Sequence, residues 1–347
     1  MKMKIEDYTI NVSEPIREAL KRLNLVKSRS MTLFVVDDNG VMVGTLTDGD
    51  VRRALIAGHE VNSPVENAMH RNFSYLRSLS QAYELKRMRQ RGILLVPVLD
   101  AGHRILDVID LTRAKAALPV DAVLMAGGKG ERLRPLTLTT PKPLLKIGSK
   151  PIIDLNIDAL AKYGVKDFSV TVNYLKEQLM EHFSVPTEAG AEVKCVAETQ
   201  FFGTIGSLRL VPEFRNDAIL VMNSDLLTDI DYEDFYLHFK QNGAMMSAAA
   251  VPYTISVPYG IFDTDGINIL GVEEKPVYDM YANAGIYLIR REALRYIPEG
   301  KVFNATDLIQ ALVADKQHVI RYPLTGLWID IGTPDEYRKA QDLAKHL

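Results

Sequence analysis

Short apolar runs closed by turn residues alternate along this chain with stretches whose apolar positions recur every three or four residues. From residue 120 onward, runs at 122–125, 167–172, 193–197, 218–222, 244–252 and 284–289 predict buried strands. Between them, 152–163, 175–183, 232–242 and 335–345 predict helices. Such alternation argues for an α/β domain around a mainly parallel sheet. The first third of the chain is different, because its pattern repeats. Residues 34–55 align with 97–118: Val35 with Val98, Val36 with Leu99, Asp37 with Asp100 and Gly44 with Asp107, at a constant offset of 63. Each copy predicts strand, turn, strand and helix, with turns at Asp37-Asp38-Asn39-Gly40 and Asp100-Ala101-Gly102. A helix precedes each copy. The first is capped by Ser13, with Pro15 early and Ile16, Ala19, Leu20 and Leu23 on one face; the second runs from about Ser80 with Ala82, Leu85 and Met88. Pro119 ends the helix before it, so the junction falls there and the domains are 1–118 and 119–347.

Composition narrows the classes. A length of 347 residues suits two domains, and 47% hydrophobic residues are ample for their cores. A net charge of −3 disfavours a general nucleic-acid binder, which needs a basic face. The one cysteine, Cys195, excludes an internal disulfide framework and a cysteine-rich zinc site. The two lysines near the start precede no apolar segment, and no run approaches the ~18 residues of a membrane span. The expectation is a cytoplasmic protein that engages neither membrane nor nucleic acid.

The first strand of the second domain runs into Gly127, Gly128 and Gly130. Glycines there let backbone N–H groups approach phosphate oxygens, since no Cβ intervenes and φ > 0 is tolerated. Lys129, Arg132, Arg134, Lys142 and Lys146 add cations around the turn. Taken alone, this is also what an ordinary strand-to-loop corner looks like. No Walker-type G-K-[ST] ending and no G-x-G-x-x-G fingerprint is present. The whole run, G-G-x-G-x-R-L-x-P-L-T followed by Pro141-Lys142-Pro143-Leu144-Leu145, resembles the signature of the sugar-phosphate nucleotidyltransferases.

Four further motifs follow in the order that family requires. Glu198 to Leu208 resembles E-x-x-P-L-G-T-A-G-A-L, with Phe201, Phe202, Ile205 and Ser207 as departures. Asn223-Ser224-Asp225 stands where the family has N-G-D, Glu274-Lys275-Pro276 matches E-K-P, and Asn283-Ala284-Gly285-Ile286-Tyr287 matches N-A-G-I-Y. Asp330 sits where the family has a second metal carboxylate. The resemblance implies a Rossmann-like nucleotidyltransferase domain. In it Met125, Ala126, Gly127, Gly128, Gly130, Glu198, Gly203, Thr204, Asn223 and Ser224 bind the nucleotide. Glu274, Asn283 and Gly285 bind the sugar, Asp225 and Asp330 hold Mg²⁺, and Arg132, Lys142 and Lys275 are catalytic. Glu131 departs from the usual Thr or Ser, so it either points away from the phosphates or pairs with Arg134 or a lysine.

The implied reaction joins a nucleoside triphosphate to a sugar 1-phosphate and releases pyrophosphate. The attacking phosphate is already an anion, so alignment and charge neutralisation replace a general base. The repeated first domain resembles a tandem pair of CBS domains, an α+β module that binds adenine nucleotides in many relatives. Thr47 and Asp50 match its [ST]-x-x-D ribose motif, and equally match a helix cap. The second copy has Asp110 and Arg113 instead. The domain order points to GTP and glucosamine 1-phosphate, with mannose 1-phosphate, or UTP or dTTP with glucose 1-phosphate, as alternatives. A non-catalytic nucleotide-sugar sensor is the rival reading, and a homo-oligomer is expected.

Overall fold

The computed structural model describes residues 4–25, 31–78 and 83–345. The chain divides into two compact units, residues 1–119 with 162–164, and 120–161 with 165–347.

In the first unit, β1 (Thr9–Asn11), β2 (Thr32–Val36) and β3 (Met42–Thr47) form one sheet, β1 parallel and β3 antiparallel to the central β2. Helices α1 (Ile16–Leu25) and α2 (Asp48–Ile56) belong to this copy, and Ile10, Ile16, Leu33, Phe34 and Leu46 fill its core. The second copy contributes α3 (Tyr83–Gln90) and the antiparallel pair β4 (Leu95–Leu99) and β5 (Ile105–Asp110). Leu76 bridges Val98 in parallel much as Ile10 pairs with Val35, so the repeat extends to the preceding strand. Ser80 and Ala82 lie outside the described residues.

Two local expectations are corrected. Ser13 does not cap α1. Its hydroxyl donates to Asn11 Oδ1 (2.7 Å), while the first-turn amides of Ile16 and Arg17 donate to the carbonyls of Ser63 and Val61. No helix follows β5 before Pro119. After β3, Thr47 and Asp50 close a reciprocal capping box that starts α2. After β5, Asp110 instead accepts from the amide and hydroxyl of Thr112, a tight Asx turn, and Arg113 has no acceptor to close the box.

The second unit is built on a seven-stranded sheet in the order β10-β9-β6-β11-β16-β13-β17. Its strands are β6 (Val120–Ala126), β9 (Asp167–Val172), β10 (Val193–Ala197), β11 (Ala218–Asn223), β13 (Met246–Ser256), β16 (Val277–Arg290) and β17 (Val319–Pro323). All neighbours pair in parallel except along β16, which is antiparallel to both β11 and β13. Helices α4 (Ile152–Lys162), α5 (Lys176–His182), α6 (Tyr232–Gln241), α7 (Ala305–Ala314) and α8 (Pro334–Ala344) complete the fold. Val123, Val221, Tyr287 and Met246 pack with Leu308 and Leu312 of α7. Their strand neighbours Leu124, Leu220 and Ile286 are buried too, as a sheet covered on both faces requires. Three two-stranded ribbons stand beside the sheet: β7 (Lys146–Ile147) with β8 (Lys150–Pro151), β12 (Leu226–Thr228) with β18 (Trp328–Asp330), and β14 (Ile261–Asp265) with β15 (Asn268–Glu273).

Candidate active site

Parallel pairing sets the carboxyl end of β6 beside that of β11, with Met125 opposite Asn223. Ser224 locks the two ends, its hydroxyl donating to the Met125 carbonyl at 2.7 Å. Beyond them opens a cavity of about 670 Å³ at the carboxyl edge of the sheet, where α/β proteins bind ligands. The turn Gly127–Gly130 forms one wall, continued by Glu131 and Arg132. Two of its glycines are sterically required. A Cβ on Gly127 would come within 2.9 Å of Glu198 Oε1, and Gly130, at φ +61°, packs against Thr137 and Lys142. Thr137, fully buried, donates its hydroxyl to the Gly130 carbonyl (2.8 Å) and so closes the turn.

The opposite wall carries Glu198, Gly203 and Thr204. Glu198 is buried, which raises its carboxyl above the usual range, and it accepts from the Phe202 amide at 3.4 Å. Thr204 Oγ1 accepts from the Ala305 amide (2.9 Å), and Gly203 (φ +79°) lies against the Phe303 carbonyl, where a Cβ would sit at 2.6 Å. The turn is therefore docked on the start of α7.

The floor holds the charged cluster. Lys142 bonds Asp225 Oδ2 and lies 3.8 Å from Asp330 Oδ1. The two carboxylates come from positions far apart in sequence and meet because β12 pairs with β18, Leu226 opposite Asp330, with the Ile331 amide donating to the Asp225 carbonyl. Burial and the neighbouring Asp225 push the Asp330 carboxyl up, and Lys142 and Arg132 pull it back. Asp225 Oδ1 is buried with no hydrogen-bond partner. Arg132 stacks its guanidinium on Gly332, where a Cβ would lie 2.7 Å from Nη2. Glu131 turns to Arg134, 3.5 Å away, which offsets its charge beside the cavity.

Met125, Ala126, Gly127, Gly128, Gly130, Arg132, Lys142, Glu198, Gly203, Thr204, Asn223, Ser224 and Asp225 all line this cavity. Asn283 and Gly285 stand one step behind it. Asn283 Oδ1 accepts from the Gly285 amide (3.0 Å), and Gly285, at φ +73°, leaves room for the Asn223 amide. Glu274, Lys275 and Asp330 are not among the residues lining this cavity; Glu274 and Lys275 follow β15 on an exposed part of the chain, with Lys275 at φ +48°. In the first unit, the Asp50 carboxyl is engaged by the Thr47 amide (2.8 Å) and hydroxyl and by Arg53 (2.5 Å).

One supporting residue escaped the sequence reading. Asn156, buried on α4, donates to the carbonyls of Ile152 (3.1 Å) and Leu226 (2.9 Å), and so pins the loop that presents Asp225. Its signal was available: a polar side chain on the apolar stripe of Ile152, Ile153, Ile157 and Leu160. Among the described residues no group of three or more His, Cys, Asp and Glu could share a metal ion, and no helix is long and apolar enough to cross a membrane.

The family model described as nucleotidyl transferase matches residues 121–346, and the CBS domain model matches residues 3–57. The chain belongs to the nucleotidyl transferase family, with a CBS domain at its N-terminal side. It is 32% identical over 230 residues to the mannose-1-phosphate guanylyltransferase catalytic subunit beta of Dictyostelium discoideum, covering 64% of each chain. It is 31% identical over 224 residues to the mannose-1-phosphate guanyltransferase of Saccharomyces cerevisiae, covering 62% of each. The chain thus spans less than two thirds of the length of these curated relatives. HddC from Yersinia pseudotuberculosis, solved with GMP-PN, shares the fold at a TM-score of 0.52 and 22% identity, over 65% of this chain and 99% of that one.

Proposed function

We propose that this chain transfers a nucleotidyl group, guanylyl in the leading reading, from a nucleoside triphosphate to a sugar 1-phosphate. The observation that carries the reading is the joint placement of the glycine turn, Lys142 and Asp225 around one cavity, with Asp330 beside Lys142. An oxygen of the sugar phosphate forms a bond to the α-phosphorus, the bond to the β-phosphate bridging oxygen breaks, and pyrophosphate leaves in line. Amides of the Gly127–Gly130 turn and the Arg132 guanidinium hold the leaving phosphates. Lys142 neutralises the transferring phosphoryl group and fixes the Asp225 carboxylate. Glu198, Thr204 and Asn223 bound the nucleoside side, with Asn283 and Gly285 towards the sugar. Asp225, with its unpartnered buried Oδ1, and Asp330 form a hard oxygen pair that fits Mg²⁺. Bound there, the cation adds positive charge where two anions must meet.

The names of the relatives favour GTP and mannose 1-phosphate, and the domain order keeps glucosamine 1-phosphate beside it. An adenine nucleotide at the first unit is a further part of this reading, resting on Thr47 and Asp50, as is assembly into a homo-oligomer. Pyrophosphate release by the purified protein with Mg²⁺ tests the whole. GTP, UTP, dTTP, CTP and ATP are crossed with mannose, glucosamine and glucose 1-phosphates. Release with GTP and one hexosamine or hexose phosphate is expected. Silence across the panel with tight nucleotide binding intact would favour the sensor.

A further inference from the structure

The cavity wall that carries Glu198 and Thr204 also carries Phe201. Among the described residues that line the cavity, Phe201 is the only aromatic one; most of the others are glycines or polar and charged side chains. Phe201 is 53% exposed, whereas Phe202 beside it is 5% exposed. It also stands where the nucleotidyltransferase pattern has proline. A single exposed apolar side chain on a protein surface needs no explanation. Phe201 differs in where it stands and in how firmly its loop is held.

The loop is tied down on both sides of the ring. After it, the Phe202 amide donates to Glu198 Oε2 (3.4 Å) and the Phe202 carbonyl accepts from the Phe303 amide (2.9 Å). The Phe303 carbonyl accepts in turn from the amides of Ile205 (3.1 Å) and Gly206 (3.0 Å). Gly203, at φ +79°, has no room for a Cβ beside that same carbonyl. Before the ring, Gln200 Nε2 donates to the Gly300 carbonyl (3.4 Å). The segment thus buries Phe202 and holds Phe201 at the cavity; turning the Phe201 backbone inward would break this set of hydrogen bonds. An aromatic face kept in place without a protein group to cover it is preorganised for a ligand.

A nucleoside triphosphate has one flat apolar surface, the face of its base; its phosphates and ribose offer none. The glycine turn, Arg132 and Lys142 suit the phosphates, and the aromatic ring matches the base. We propose that Phe201 stacks on the nucleobase of the bound triphosphate and favours purines, whose two fused rings cover more of its face than a pyrimidine does. The inference rests on the nucleotidyl-transfer reading of this cavity and adds to it the group that grips the base. A base laid flat on the ring keeps its polar edges free for Glu198, Asn173 and Thr204, which line the same cavity.

Calorimetric titration of the full-length wild type and Phe201→Ala tests it, with GTP, UTP and inorganic tripolyphosphate as ligands, Mg²⁺ present and no sugar phosphate. Truncating a half-exposed side chain should leave the melting temperature unchanged. Phe201→Ala is expected to weaken GTP about tenfold and UTP about threefold. Tripolyphosphate, which has no base, should bind both proteins equally. Phe201→Trp should keep GTP within about twofold of the wild-type affinity, because it preserves the stacking face. Its added fluorescence, read against a wild type whose one tryptophan is Trp328, should be quenched by GTP and not by tripolyphosphate. Unchanged GTP affinity in Phe201→Ala would take the ring off the base and overturn the proposal. An equal loss for all three ligands would also overturn it, by making Phe201 a structural support of the loop. Either result beside pyrophosphate release by the wild type would leave the proposed function standing; a wild type that binds neither nucleotide would remove both.

Discussion

The glycine turn at 127–130 and the arm at 253–281, where β13 ends, β14 pairs with β15 and β16 begins, are both recognisable by their motifs, yet the fold treats them in opposite ways. The turn is wedged between Glu198, Thr137 and Lys142, so that two of its glycines admit no side chain without a shift. The arm exposes nearly every residue, and its Gly266 has nothing within 4 Å of a Cβ position. A motif therefore identifies chemistry in both places, while packing fixes position in only one. The groups proposed to hold phosphates are closely packed, whereas those on the arm are exposed.

The largest test of this contrast is Asp225→Asn. It keeps the shape of a residue in the rigid cluster and removes the charge, so turnover should fall by roughly a thousandfold with circular dichroism and melting unchanged; near-wild-type release of pyrophosphate would detach the cluster from the reaction. Asn156→Leu attacks the support instead. It leaves the Leu226 carbonyl short of a donor in a buried place, at a cost of about 1–3 kcal/mol, readable as a lower urea midpoint together with reduced turnover. Gly127→Ala pushes a methyl towards the buried Glu198 carboxylate and should weaken nucleotide binding by about tenfold, one lost interaction of ~1.4 kcal/mol, with little change in unfolding.

A pH series separates function from stability within the cluster. Burial and Asp225 raise the Asp330 carboxyl, so the folded protein holds that proton more tightly than the unfolded chain. Its favourable contribution is complete below the unfolded value near 3.8 and is lost as pH rises through the raised folded value. Asp330→Asn should thus be inactive yet melt a few degrees higher at neutral pH, with the gain shrinking as the pH is lowered towards 4. An equal gain at every pH would contradict that origin. The smallest effect belongs to the arm: Ile267→Asn, at a side chain 99% exposed, should leave the unfolding free energy from urea denaturation within about 0.5 kcal/mol of wild type.

The chain's two repeated copies show where reading by pattern stops. Their β-hairpins were legible because two-residue alternation and turn residues are local properties, and both formed. The closing helix was legible only in the first copy, where Thr47 and Asp50 complete a cap. In the second, alignment promised a helix that Arg113 could not start, because a guanidinium has no acceptor to return to the cap residue. The apolar runs at 244–252 and 284–289 mark only part of their strands, for a related reason. Their outer residues pair with each other and face solvent, so they lack the continuous apolar run that marks a buried strand.

By itself the sequence determined the α/β class, six of the seven strands of the large sheet, four of the five helices of that unit, the turn of glycines at the first strand's end and the family its motifs resemble. These follow from periodicity and from residues adjacent in the chain. Tertiary structure alone decided that Asp225 and Asp330 share one cluster with Lys142 and that Asn156 supports it. The carboxylate cluster depends on pairing between distant strands, which is set by how whole surfaces bury against one another; Asn156 left a local mark as a polar residue on an apolar stripe, but its partner, the Leu226 carbonyl, is fixed only by the fold.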